Sequence, residues 1–267
     1  MGSKSNIKSK QMKNKGKKKR SKIKVFFVKL LFFIILLTII GGIGFGIYYL
    51  CTSSKFDIEK VDVIGQGKYT QEEILEVSKI PIGNNIFLTR KGIIEDKIEK
   101  KFPYIYSVKI KMSSKNSLKI IIKERERKYV AVNNETNEYI RLDKYGIILE
   151  KVLSNQVENG EMLLFGISFD DDIKLGTSIT KSEVGKINNY EGIKKEYDNH
   201  KIENKITSIK FEKGNVILVL DYKLSIIISP VDNLEYRIKF LNEILKEVSG
   251  RTGEVDITKE NPSFVEK

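Results

Sequence analysis

The chain has 267 residues, one histidine, one cysteine and a formal net charge of +13. A single cysteine excludes an intramolecular disulfide framework, so any folded region must hold itself together by core burial. Residues 1–29 carry twelve Lys and Arg and no acid, leaving 36 basic against 35 acidic residues elsewhere, which excludes the basic face expected of a nucleic-acid-binding domain.

The excess charge belongs to a tail. Its densest part, Lys17, Lys18, Lys19, Arg20, Lys22 and Lys24, stands just before the run from Leu30 to Leu50, LLFFIILLTIIGGIGFGIYYL, which contains no charge. Twenty-one residues at 1.5 Å each are enough to cross a hydrocarbon core of roughly 30 Å. Leu30 and Leu50 therefore bound a predicted membrane anchor. Basic residues before the run, with no matching cluster after it, imply a cytoplasmic N-terminus and an extracytoplasmic C-terminal bulk. A cleaved secretory signal would have a shorter apolar region ending in small residues. Here the run ends Tyr48-Tyr49-Leu50-Cys51, and Leu50 stands where lipoprotein processing at Cys51 would need a small residue.

The remaining length, roughly 215 residues, suits two domains. The first opens with a strand over Ile58 to Ile64, broken by Gly65-Gln66-Gly67. A helix follows, started by a capping box of Thr70 and Glu73, given an apolar side by Ile74, Leu75 and Val77, and stopped at Pro81. Ile80 to Thr89, IPIGNNIFLT, reads as a loop packed onto the core. A second helix runs from Arg90 to Lys101 with Ile93, Ile94 and Ile98 buried and Pro103 ending it. Strands over Tyr104 to Met112 and Leu118 to Ile122, joined by the polar turn Ser113 to Asn116, complete the order strand, helix, helix, strand, strand.

The second domain, from residue 125, is mainly strands. Short ones are expected over Tyr129 to Val132, Tyr139 to Leu142, Ile147 to Leu149 and Leu163 to Gly166. A helix boxed by Thr180 and Glu183 presents Val184, Ile187, Tyr190 and Ile193. A meander follows over Ile209 to Glu212, Val216 to Leu220 and Ser225 to Ser229, with turns at Lys213-Gly214-Asn215 and Asp221 to Lys223. After Pro230, Asp232 caps a helix with Glu235 at its third position, and Leu234, Ile238, Leu241, Leu245 and Val248 form its apolar stripe. Gly250 ends it. A final strand covers Glu254 to Thr258.

Catalytic chemistry finds no foothold in this pattern. His200 lies in the polar stretch Asp198 to Lys201 without a second histidine or a cysteine beside it to bind metal. Asp170-Asp171-Asp172 lacks the glycine and distal glutamate of a calcium loop and reads as a solvated turn. Gly41-Gly42-Ile43-Gly44 lies within the apolar run and follows no strand, which excludes a phosphate cradle. No enzyme activity, no cofactor and no metal are expected.

The stretches FDIEKVDVIGQGKYTQEEIL, IPIGNNIFLTR, FPYIYSVKIKM and SLKIIIKERERKYV, in that order, resemble the POTRA domain that opens the outer region of the FtsQ/DivIB cell-division proteins. Glu124-Arg125-Glu126-Arg127-Lys128 stands where the family commonly has Glu-Arg and then Pro. The later meander, the helix LEYRIKFLNEIL and the terminal strand EVDIT are similar to the family's β domain.

The resemblance implies an α+β protein: tail 1–29, transmembrane helix 30–50, POTRA-like β-α-α-β-β domain 56–124, mainly-β domain with two helices 125–258, and C-terminal tail 259–267. It also implies a non-enzymatic scaffold at the division septum that binds FtsL-like and FtsB/DivIC-like bitopic coiled-coil proteins and helps control septal peptidoglycan synthases. Strand addition would provide such binding, and Glu254, Val255, Asp256, Ile257 and Thr258 are the expected binding strand. A strand internal to the sheet is the competing reading of those five residues. The competing function is a membrane-anchored POTRA-type transport or chaperone module.

Overall fold

The computed structural model describes residues 8–133, 136–230, 233–259 and 261–267, with side chains from residue 23 onward. The side chains of Lys17, Lys18, Lys19, Arg20 and Lys22 lie outside the described residues, as does Asp232. Two compact units can be distinguished. One comprises the chain through Val61 with Pro81–Thr89 and Met112–Leu118; the other comprises Asp62–Ile80, Arg90–Lys111 and Lys119–Lys267.

In the first unit, helix α1 (Lys8–Thr52) contains the apolar run and continues back through the basic segment without a break. Within it, Ile23–Thr52 is long and apolar enough to cross a membrane, and its side chains are exposed apart from the half-buried Cys51. Leu30 and Leu50 both lie on this helix and are exposed. After a single turn at Ser54–Phe56, the chain meets residues 83–86. Strand β1 (Lys60–Ile64) starts two residues later than the alternation suggested, because the backbone of Ile58 bonds to Gly83 and Asn84.

In the second unit, Gly65 ends β1 at φ +84°, and a β-carbon there would lie 2.2 Å from the Ile122 carbonyl oxygen, so only glycine fits. Glu124 then holds the turn: its carboxylate accepts from Gly67 N at 2.8 Å and Lys68 N at 2.9 Å. Helix α2 (Gln71–Ser78) carries the expected reciprocal capping box of Thr70 and Glu73. It stops before Pro81, because Lys79 already takes a left-handed conformation at φ 46°. Helix α3 (Lys91–Lys101) buries Ile98 and half-buries Ile94, but Ile93 is exposed, contrary to the sequence reading. With β2 (Ile105–Ser114) and β3 (Ser117–Glu124), β1 forms a three-stranded sheet in the order β1-β3-β2.

The second sheet has nine strands: β4 (Arg127–Val132), β5 (Tyr139–Asp143), β6 (Ile148–Val152), β7 (Met162–Phe165), β8 (Ile206–Glu212), β9 (Asn215–Leu220), β10 (Leu224–Ile228), β11 (Gly253–Asp256) and β12 (Ser263–Glu266). Their order is β12-β11-β10-β9-β8-β7-β4-β5-β6. The meander of β8, β9 and β10 is present, and both two-residue turns have positive φ, at Lys213-Gly214 and Asp221-Tyr222. That backbone twist matches the twist of paired strands. Parallel joins of β4 with β7, β7 with β8 and β10 with β11 make the sheet mixed.

Two helices pack on this sheet, α4 (Lys181–Asn199) and α5 (Leu234–Glu247). Ile187, Tyr190, Ile193 and Tyr197 of α4 and Ile238, Leu241 and Leu245 of α5 join Ile209, Leu218, Ile226 and Val255 in one core. The predicted box at Thr180 does not form. Glu183 is buried instead and accepts from Ser168 N at 3.1 Å and Lys186 Nζ at 2.8 Å, while Thr180 Oγ1 lies 2.9 Å from Ser182 Oγ. A carboxylate that the core encloses must find partners where it is buried, and Glu183 finds a backbone amide and a lysine there in place of the cap. His200 closes α4 and gives its carbonyl to Asn242, and Asp170, Asp171 and Asp172 are exposed.

Candidate partner-binding edge of the nine-stranded sheet

The C-terminal end of the sheet is built from α5 outward. Alternation along Gly253 to Thr258 sends Val255 and Ile257 into the core, where both are fully buried, and leaves Glu254, Asp256 and Thr258 half-buried on the other side. Helix α5 carries the chain across the sheet, so β11 returns parallel to β10, in the register Ser225 with Glu254 and Ile227 with Asp256. Arg237 on α5 pins the end of the strand by donating to the carbonyl oxygen of Ile257. Asp256 closes it, accepting from Thr258 N at 2.8 Å and Thr258 Oγ1 at 2.7 Å. Burial raises its carboxyl pKa, but these two donors outweigh burial and hold it below the ordinary aspartate value.

The expected binding strand is not the sheet edge. Residues 259–267, read from sequence as a tail, contain β12, which pairs antiparallel with β11 through Glu254 with Val265 and Val255 with Phe264. Gly253 permits this. A β-carbon on it would lie 2.4 Å from the Val265 carbonyl oxygen and 2.7 Å from the Phe264 ring. Lys267 Nζ, 2.9 Å from Glu254 Oε2, adds an exposed ion pair across the two strands. Sequence reasoning missed β12 because four residues after Pro262, with Phe264 and Val265 adjacent, carry too little alternation to mark a strand.

The phase of the pairing shows which groups of β12 face outward. Lys267 N donates to Thr252 O at 3.1 Å. Antiparallel bonding alternates, so Val265 and Ser263 bond inward to β11, and the N–H and C=O groups of Phe264 and Glu266 point away from it. Among the described residues, no strand lies beyond β12.

The opposite end of the sheet is closed. There β6 is roofed by backbone: Ile148 N donates to Thr177 O at 2.9 Å, Gly176 N to Ile148 O at 2.7 Å, and Ile147 bridges Ser178. Side chains lock it as well. Arg141 of β5 is buried and donates to Glu150 Oε1 at 2.8 Å, to both Glu161 oxygens at 2.9 and 3.0 Å, and to Gln156 O. Glu150 also accepts from Tyr104 Oη at 2.6 Å and Lys68 Nζ at 3.1 Å. Although desolvation raises the Glu150 pKa, these donors outweigh it and hold the carboxyl down to about 2. Burial and the Glu150 carboxylate push the Tyr104 phenol above its ordinary range, so it stays a donor. The open edge is therefore β12.

Among the described residues no group of three or more His, Cys, Asp or Glu is placed to hold a metal ion. Comparison with known proteins agrees with the architecture. Residues 56–125 match the POTRA domain of FtsQ type. The chain is 30% identical over 262 residues to the cell division protein DivIB of Clostridium botulinum strain Hall, and 30% identical to that of strain Loch Maree, covering 94% of this chain and 94% of each relative. It is also 30% identical over 176 residues to the cell division protein DivIB of Clostridium acetobutylicum, covering 65% of this chain and 62% of that protein. With an apolar N-terminal helix that fits a membrane span, an FtsQ-type POTRA domain and relatives matched over almost the whole chain, the protein belongs to the DivIB family of cell division proteins.

Proposed function

We propose that the protein is a non-enzymatic bitopic scaffold of the division septum, with its N-terminus in the cytoplasm and its folded region outside. Its C-terminal edge accepts an extended segment of a small bitopic partner. The partners are FtsL-like and FtsB/DivIC-like coiled-coil proteins, and the assembly helps control septal peptidoglycan synthases. The observation that carries this reading is the open side of β12, whose outward N–H and C=O groups at Phe264 and Glu266 supply the ladder that strand addition needs. Glu254 to Thr258 keep a role as the platform beneath it, since β11 fixes where β12 lies. Orientation follows from the basic residues before the apolar run.

The test is a fluorescent protein fused to the N-terminus of the full chain in dividing cells. A midcell band is expected, with the coiled-coil partners recovered alongside the intact chain and lost when residues 263–267 are removed. Uniform membrane labelling throughout the cell cycle would overturn the septal reading. Undiminished partner recovery after the truncation would overturn the edge.

A further inference from the structure

Residues 81–89 fold back on the segment that leaves the apolar helix. Ile58 N donates to Asn84 O at 2.9 Å, Gly83 N to Ile58 O at 2.8 Å, and Ile86 N to Phe56 O at 2.9 Å. Asn85 ties the loop to the helix itself. Its buried amide donates from Nδ2 to Leu50 O at 2.9 Å and to Ser53 O at 3.3 Å, while its Oδ1 accepts from Phe87 N at 3.0 Å. Leu50 offers one of the last carbonyls of α1, which have no intrahelical donor. The loop is thereby held within a turn of the place where the apolar helix ends.

The side chains on this loop divide sharply. Ile86 is fully buried and anchors it, whereas Ile82, Phe87 and Leu88 are 61%, 43% and 62% exposed. The Phe87 ring meets Phe56 edge-on at 5.3 Å. Just before the Leu50 carbonyl, the helix exposes Ile47, Tyr48 and Tyr49. The exposed apolar side chains thus sit on a loop bonded to the helix end, whose tyrosines favour the membrane–water boundary. Exposed apolar groups held beside the end of a membrane-spanning helix are chemically suited to the bilayer interface.

We infer that Ile82, Phe87 and Leu88 insert into the interface of the leaflet from which α1 emerges, giving the protein a second lipid contact beside its helix. This rests on the reading of α1 as membrane-spanning. Asn85 is a positioning residue for the contact. A lone helix leaves the chain free to swivel at its exit, and the loop removes that freedom.

The sequence contains no tryptophan, so a single introduced one is a unique fluorophore. Leu88→Trp is made in the full chain and reconstituted into phosphatidylcholine–phosphatidylglycerol vesicles, with or without bromine on the acyl chains. Ile82→Trp repeats the test should Leu88→Trp fold poorly, and Phe45→Trp within α1 reports on the span. Blue-shifted emission, quenched several-fold more by brominated lipid than by aqueous iodide, is the expected result, and adding Asn85→Ala should reverse that preference. Quenching by iodide alone, with Phe45→Trp still quenched by lipid, would overturn the inference and leave the span intact. Protection from both quenchers would overturn it in favour of a protein neighbour. Absence of lipid quenching at Phe45→Trp would remove the span and the inference together.

Discussion

The two ends of the nine-stranded sheet solve the same problem in opposite ways. At β6 the unpaired backbone is roofed by residues 176–178 and braced by Arg141 between Glu150 and Glu161. At β12 four residues end the sheet with Phe264 and Glu266 facing outward and, among the described residues, an exposed ion pair beside them. An unpaired edge invites association with another chain, so natural sheets cover the edges they do not use. The covering of one end and the exposure of the other separate a structural edge from one available for recognition.

Arg141→Ala is expected to have the largest effect on the comparison. It leaves the half-buried Glu150 and Glu161 without their guanidinium, and chemical denaturation should show a loss of about 3 kcal/mol. Partner capture by the fraction that remains folded should be unchanged. Reduced capture by the folded protein would mean that the closed end also takes part in recognition.

Gly253→Ala comes next. Its β-carbon collides with the Val265 carbonyl and the Phe264 ring, so β12 should be displaced at a cost of about 2 kcal/mol. Amide exchange at Ser263 and Val265, which bond to β11, should accelerate far more than at β6. Equal acceleration at both ends would show that the two edges are one cooperative unit.

Acid should loosen the closed end. The Glu150 carboxyl is depressed from 4.5 to about 2, so its contribution is complete above pH 4.5 and lost as pH falls toward about 2. Its size is on the order of 1–2 kcal/mol once partial exposure is allowed for. Glu150→Gln should flatten the stability profile across that window, measured by thermal unfolding against pH. An unchanged profile would remove Glu150 as the acid-sensitive group.

Glu266→Pro should barely alter stability, by less than about 1 kcal/mol, because proline is tolerated on an edge strand and the lost N–H points away from β11. It should nevertheless weaken strand addition about tenfold in a binding titration, whereas Glu266→Ala, which keeps the N–H, should not. Equal binding by both variants would rule out pairing along β12.

Much of the molecule could be read locally. The apolar helix, the Thr70–Glu73 box, the α5 stripe and the meander all depend on residues within a few positions of one another. Thr180–Glu183 has the same spelling as the first box yet forms none, because burial gave Glu183 a backbone amide and a lysine to serve. Ile93 likewise sits beside the apolar stripe of α3 but stays exposed.

The candidate site was half legible. Alternation named Val255 and Ile257 as the inward face of β11, since side-chain direction repeats every second residue whatever the neighbours are. The neighbours themselves were decided by the assembled sheet. That β11 lies between β10 and β12 depends on the path of α5 across the sheet and on the room that Gly253 leaves for Phe264. Periodicity in a strand tells which side is buried; hydrogen bonding along the strand's edges is satisfied only by distant chain, and that belongs to the fold.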